Sequence, residues 1–169
     1  MEIRKAIPGD LDAIMRVYGI AQEFMIRSGN PTQWGHSYPT EELLSADIAD
    51  GACYVTTQDG AVHAVFVLCF GGEPTYRVIE NGAWPNDLPY VTIHRIASDG
   101  IVHGVFRAAA DYSASLCDHI RVDTHADNRV MQRRIEAYGF VKCGTIYVAD
   151  GSPRIAYQWD RPAKRGAPK

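Results

Sequence analysis

Residues 90–124 constrain the fold more than any other stretch of the chain. A strand-like run, YVTIHRIA at 90–97, passes through Gly100 and Gly104 into a helical pattern at 105–117, and a second strand-like run, HIRVDT, follows at 119–124. Strand, helix and strand in that order make a crossover, which joins parallel strands. The flanking segments carry the opposite signal. Strand-like residues 52–57 (ACYVTT) and 61–70 (AVHAVFVLCF) flank Gln58-Asp59-Gly60, and 140–148 (FVKCGTIYV) and 153–159 (PRIAYQW) flank Asp150-Gly151. An Asp-Gly step favours a tight hairpin, so both pairs should be antiparallel. A chain holding both signals folds as a mixed α/β sheet.

The remaining elements follow from periodicity and punctuation. Residues 2–6 alternate apolar and charged up to Pro8-Gly9, giving a first strand, and Asp10 is placed to cap a helix over 11–27. NPTQWGHSYP at 30–39 is a loop rich in aromatic residues; Thr40 then caps a second helix that ends at Gly51. Residues 71–89 form a long irregular connection carrying Tyr76 and Trp84. A further helix spans 128–138, preceded by Thr124 and Asp127 at capping-box spacing. No repeat or linker divides the chain, which reads as one domain over 1–160 and a basic, disordered tail over 161–169 (RPAKRGAPK).

Composition excludes several classes of function. With 46% apolar residues among 169, the chain can bury a core unaided. A net charge of -3 and the lack of a basic stripe argue against nucleic acid as a partner. Cys53, Cys69, Cys117 and Cys143 form no CxxC pair, and His36, His63, His103 and His119 have no ligand spacing, so no metal is expected. No run of apolar residues is long enough to span a membrane, and MEIRKA is charged where a leader would be apolar. The expected location is the cytoplasm.

The turn at 98–104 is where chemistry is readable. A helix N-terminus presents unpaired N–H groups, and Gly100 and Gly104 allow close approach, so this turn suits a pyrophosphate. It matches neither the Walker pattern nor GxGxxG, and spacing alone allows a simple turn equally well.

The segment IHRIASDGIVHGVFRAAADYS, from Ile93 through Arg95 and the glycine turn into the helix, resembles motif A of the GNAT N-acetyltransferases. RVDTHADNRVMQRRIEAYGFVKCGTIY, 121–147, resembles motif B of the same superfamily, and the element order agrees over about 2–159. The resemblance implies a mixed, mostly antiparallel sheet with a parallel, splayed central strand pair, flanked by about four helices. It also implies acetyl-CoA as cosubstrate without a metal: backbone around Ile96, Ala97 and Ser98 for the pantetheine, Gly100, Val102, His103, Gly104 and Val105 for the pyrophosphate, and Asn128 as a further contact. Asn128 could instead serve simply as a helix-start residue. The sequence departs from the common pattern at Ile101, Phe106 and Ile135, which stand where relatives carry a Gln or Arg, a closing glycine and an acid tyrosine.

The same resemblance implies acetyl transfer to an amine of a small molecule or peptide. His94 occupies a strand position at which some relatives carry a glutamate, and imidazole titrates near neutral pH, which makes it the candidate base; a core histidine is the competing role. His125 and Asp123, ending the neighbouring strand, are further catalytic candidates. Trp34, Tyr38, Tyr76 and Trp84 lie in the two loops that form the acceptor pocket in relatives, where they would bind substrate or pack the core. A non-catalytic acyl-CoA-binding or interaction module is the alternative function. An exposed edge at the last strands could support a homodimer.

Overall fold

The computed structural model describes residues 1–162, so most of the basic tail lies outside the described residues. Seven strands form one sheet: β1 (Glu2–Lys5), β2 (Cys53–Gln58), β3 (Ala61–Phe70), β4 (Val91–Ser98), β5 (His119–Thr124), β6 (Val141–Tyr147) and β7 (Pro153–Asp160). Their spatial order is β1-β2-β3-β4-β5-β7-β6. Every neighbouring pair is antiparallel except β4 and β5, as the crossover pattern requires. Four helices flank the sheet: α1 (Leu11–Arg27), α2 (Glu41–Ala49), α3 (Val105–Leu116) and α4 (Arg129–Tyr138). None of them is long and apolar enough to cross a membrane.

Period-2 alternation along the strands divides the core between the two faces. On one face Val55, Val65 and Val67 meet Ile14, Val17, Tyr18 and Ala21 of α1 and Leu44 and Ile48 of α2. On the other, Phe66, Leu68, Ile93, Ile120, Val122 and Tyr157 meet Phe106, Ala109 and Ala110 of α3 and Ile135 of α4. Each such aliphatic or aromatic side chain contributes roughly 1.5–3 kcal/mol by leaving water, and this holds both helix layers in place. Ile135 is fully buried here, so the position at which the resembled family carries a tyrosine belongs to the core.

Two helix starts differ from expectation. Asp10 precedes α1, yet its side chain does not cap it; the carboxylate accepts the Ile7 N–H at 2.8 Å and receives a two-pronged Arg4 pair at 2.7 and 2.9 Å. The bidentate, charge-assisted partner outcompetes a helix amide. Ahead of α4 the Thr124–Asp127 box does not form: Thr124 Oγ1 is buried without a partner, and Asn128 caps the helix by accepting the Met131 N–H at 3.1 Å. Thr40 caps α2 as its sequence position suggests, accepting the Leu43 N–H at 3.3 Å.

Candidate active site

The parallel strands β4 and β5 are paired at Val91–Ile120 and Thr92–Arg121 and then diverge. A bulge in β4 drives them apart. His94 pairs with Val67 and Ala97 with Val65, so β4 holds one residue more than β3 over this interval, and Arg95 sits at φ +50°. A bulge bends its strand away from the sheet, and the left-handed backbone disfavours a residue with a long side chain. Helical residues hold it there. The Tyr18 hydroxyl of α1 donates to the Arg95 carbonyl at 2.6 Å; Asp47 of α2 accepts from the Arg95 guanidinium at 2.8 Å. Burial raises the Asp47 carboxyl above its ordinary value even against Arg95, which marks how dry this pin is.

Divergence of the strands opens a cavity of about 1100 Å³. Along one end run Ile96, Ala97, Ser98, Gly100, Val102, His103, Gly104 and Val105, all of them on its wall. Gly100 and Gly104 adopt φ +83° and +75°, and a Cβ at either would meet nothing, so backbone conformation alone calls for glycine. The turn is braced from below. Asp99 Oδ1 accepts the Ile101 N–H at 3.1 Å, while Oδ2 meets His63 Nδ1 at 2.9 Å and Arg16 at 3.2 Å. Burial would raise the Asp99 carboxyl, but the bonds from His63, Ile101 and Arg16 outweigh it and hold it below its ordinary value. No side chain caps α3, whose first amides and positive dipole end are therefore open to an anion at the Gly104 end of the cavity. This turn fits a pyrophosphate.

Asn128 also lines the cavity, and its side chain is engaged at both ends. Besides capping α4, its Nδ2 donates to Gln33 Oε1 at 3.1 Å, and the same oxygen accepts from Asn30 Nδ2 at 2.8 Å. The loop between α1 and α2 is thereby tied to the start of α4.

The wall also carries Trp34, Tyr38, Glu73, His94, Asp123 and Arg154. His94 Nε2 lies 2.9 Å from Glu73 Oε2. Glu73 also accepts from the Thr75 N–H and hydroxyl at 3.2 and 2.9 Å, and its own N–H donates to the Tyr90 hydroxyl. The His94 bond, aided by those from Thr75, pulls the Glu73 carboxyl down to about 2, so it is an anion across the neutral range. An anion can only accept. The ring therefore donates from Nε2, and in its neutral form carries the lone pair on Nδ1, which has no partner among the described residues.

Asp123 also lines the cavity, near enough to His94 and Arg154 to feel their charges. Tyr76 donates to its Oδ2 at 2.7 Å, and desolvation raises its carboxyl above the ordinary value despite His94 and that bond. Tyr76 and Trp84 are not on the cavity wall. Tyr76 is 2% exposed, its ring centroid 5.2 Å from that of Trp84, and its carbonyl accepts the Trp84 indole N–H. The Arg121 guanidinium lies 4.0 Å from the Trp84 ring and 3.9 Å from that of Tyr90, locking the 71–89 segment against β5. His125 is off the wall as well: its Nδ1 accepts the Asp127 N–H at 3.1 Å. Among the described residues no cluster of His, Cys, Asp or Glu is arranged to hold a metal.

No protein-family model and no curated protein sequence matches the chain. Solved structures do. A GNAT-family acetyltransferase from Streptococcus agalactiae is 30% identical, with 95% of each chain covered and a TM-score of 0.82. The chain belongs to the GNAT family of acetyltransferases. A GNAT-family acetyltransferase from Listeria monocytogenes (18% identity, 94% of each chain, TM-score 0.68) and the ribosomal-protein-S18-alanine N-acetyltransferase of Escherichia coli (14%, 99% of each chain, 0.59) share the fold. The order of elements and the parallel pair inside an otherwise antiparallel sheet are those expected from the motif resemblance.

For this acetyltransferase, sequence reasoning missed Glu73, Asp47 and Arg154. Glu73 is 21 residues from its histidine partner, and Asp47 is 48 residues from Arg95. Neither separation leaves a local pattern. The one available hint for Glu73 was its place just before Pro74, where it caps a short 3₁₀ turn that fixes its carboxylate.

Proposed function

We propose that the protein transfers an acetyl group from acetyl-CoA to a primary amine by direct attack, with His94 as base and Glu73 as its orienting anion. The observation that carries this reading is the His94–Glu73 contact of 2.9 Å on the wall of the cavity opened by the splayed strands. The uncapped α3 and the glycine turn suit the pyrophosphate, and the unpaired edge of β4 beyond Thr92 suits an extended pantetheine arm.

An amine must lose a proton as its nitrogen bonds to the thioester carbon. His94 Nδ1 takes that proton, directly or through one water, and the resulting imidazolium is stabilised by Glu73 through a charge-assisted bond. A backbone N–H near Ile96 or Ala97 meets the oxygen as it becomes negative, and the carbon–sulfur bond then breaks. The departing thiolate takes a proton from solvent or from the imidazolium, because Ile135 cannot supply one.

Thiol release from acetyl-CoA across an amine panel tests this reading. His94→Ala is expected to lower kcat by 10²–10⁴-fold, the usual worth of general base catalysis, and to abolish the acid limb of the pH profile. An unchanged rate and profile would remove His94 from the mechanism. CoA binding by calorimetry without turnover of any amine would favour the non-catalytic module.

A further inference from the structure

Arg154 is a buried cation that makes no salt bridge among the described residues, although the carboxylates of Asp123 and Asp150 lie near enough to feel its charge. It lies on the same face of the sheet as Asp123: Asp123 pairs with Ala156, and Arg154 is two residues along β7 from Ala156. The residue is 7% exposed and lines the cavity. Its Nη1 donates to Ser152 Oγ and to the Pro153 carbonyl, both at 2.9 Å, and Ser152 Oγ is itself held by donating to Asp150 at 2.6 Å. Nε and Nη2 have no hydrogen-bond partner among the described residues, and they are not sealed away from open space.

The acidic groups on this wall hydrogen-bond to other partners and not to Arg154. Glu73 is held by His94 and Thr75, Asp123 by Tyr76, Asp99 by Arg16 and His63, and Asp150 by Ser152. Arg95, the other partly buried arginine of the cavity, is paired with Asp47. A guanidinium largely withdrawn from water gains from a bonded anion, and its planar fork matches a carboxylate with two parallel bonds. The Asp150–Ser152 brace holds one arm of the fork and leaves the other two donors for a ligand.

We propose that Arg154 binds a carboxylate carried by the acceptor, so that the substrate is an amino-acid-like amine whose acid group anchors on β7 while its nitrogen faces His94. This rests on the amine-transfer reading above. A free amino acid and the end of a short peptide both offer that chemistry, and the test distinguishes them.

The experiment compares amino acids with their primary amides, and free amino acids with dipeptides, as acceptors from acetyl-CoA in the parent protein, Arg154→Met and Arg154→Lys. The parent is expected to favour the acid over its amide by about 10- to 150-fold in kcat/KM, the worth of a charged hydrogen-bonded contact. That ratio should fall to near one in Arg154→Met and recover in part in Arg154→Lys, which restores charge without the fork. Preference for the free amino acid over the dipeptide assigns the carboxylate to the small molecule. Calorimetry of N-acetyl amino acids in the presence of CoA gives a second readout that needs no turnover. Arg154-dependent binding there, with no transfer to any amine, would refute the transfer reading and leave the carboxylate site standing. A parent ratio near one, or a ratio and binding unchanged in both variants, overturns the proposal. Should Arg154→Met fail to bind CoA, the partial loss in Arg154→Lys carries the test.

Discussion

Replacing Glu73 with glutamine removes one charge and keeps the shape of the side chain. Glu73 accepts from His94 through Oε2 and from Thr75 through Oε1, so the single oxygen of the glutamine keeps the His94 bond only by giving up those from Thr75. What disappears is the anion beside the imidazolium that forms as the amine attacks. A hydrogen bond to a charged group is worth about 1.5–3 kcal/mol, so kcat should fall roughly 10- to 150-fold. The fold should register the change separately. Glu73 drops from an ordinary 4.5 to about 2, chiefly through His94, which corresponds to at most about 3 kcal/mol of stability. A depressed carboxylate stabilises the fold fully above its unfolded value, and that stability is lost as pH falls from about 4.5 towards 2. The parent should therefore lose its advantage over Glu73→Gln across that acid window and keep it at neutral pH. Urea unfolding at several pH values and steady-state thiol release measure the two effects. A kcat within twofold of the parent, alongside the expected stability difference, would show that the carboxylate serves the fold and not the reaction.

Two further changes probe the frame around the site. Gly104→Ala meets no neighbour but must hold φ +75°, so it should cost about 1–2 kcal/mol in urea unfolding and weaken CoA in calorimetry. Tyr76→Phe removes the hydroxyl that bonds Asp123 and should cost about 1–3 kcal/mol. Burial raises the Asp123 carboxyl and the Tyr76 hydroxyl favours its ionised form, so the Tyr76→Phe penalty should grow as rising pH ionises Asp123; a penalty independent of pH would contradict the assignment.

Elements set by local patterns were legible in the sequence. The spacing from Leu11 to Met25 gave α1 its bounds, and the two Asp-Gly steps marked their hairpins. The insertion of β7 between β5 and β6 was not legible, because a hairpin signal says which strands pair and not which of them faces the rest of the sheet. Within the site, the glycine turn and His94 could be singled out because strand, turn and helix adjoin in sequence. Glu73 and Arg154 could not. The roles proposed for them rest on tertiary approach across the 71–89 segment and across β5, and a carboxylate beside a proline or an arginine in a strand looks locally like a solvated charge. Tyr76 and Trp84 show the converse: aromatic residues in a long loop suggested a ligand surface, and the loop instead packs Trp84 on Arg121 and Tyr76 on Trp84.

The proposed reaction carries an acetyl group from CoA to an amine nitrogen within this cavity. Acetyl-CoA labelled in its acetyl group, incubated with the protein and a carboxylate-bearing amine, tests it most directly when the products are followed by mass spectrometry and thiol release together. The prediction is one labelled acetyl group on the amine nitrogen for each thiol freed, with both signals falling in step in His94→Ala. Thiol release without label on the amine, or labelled amine formed equally well by His94→Ala, would contradict it.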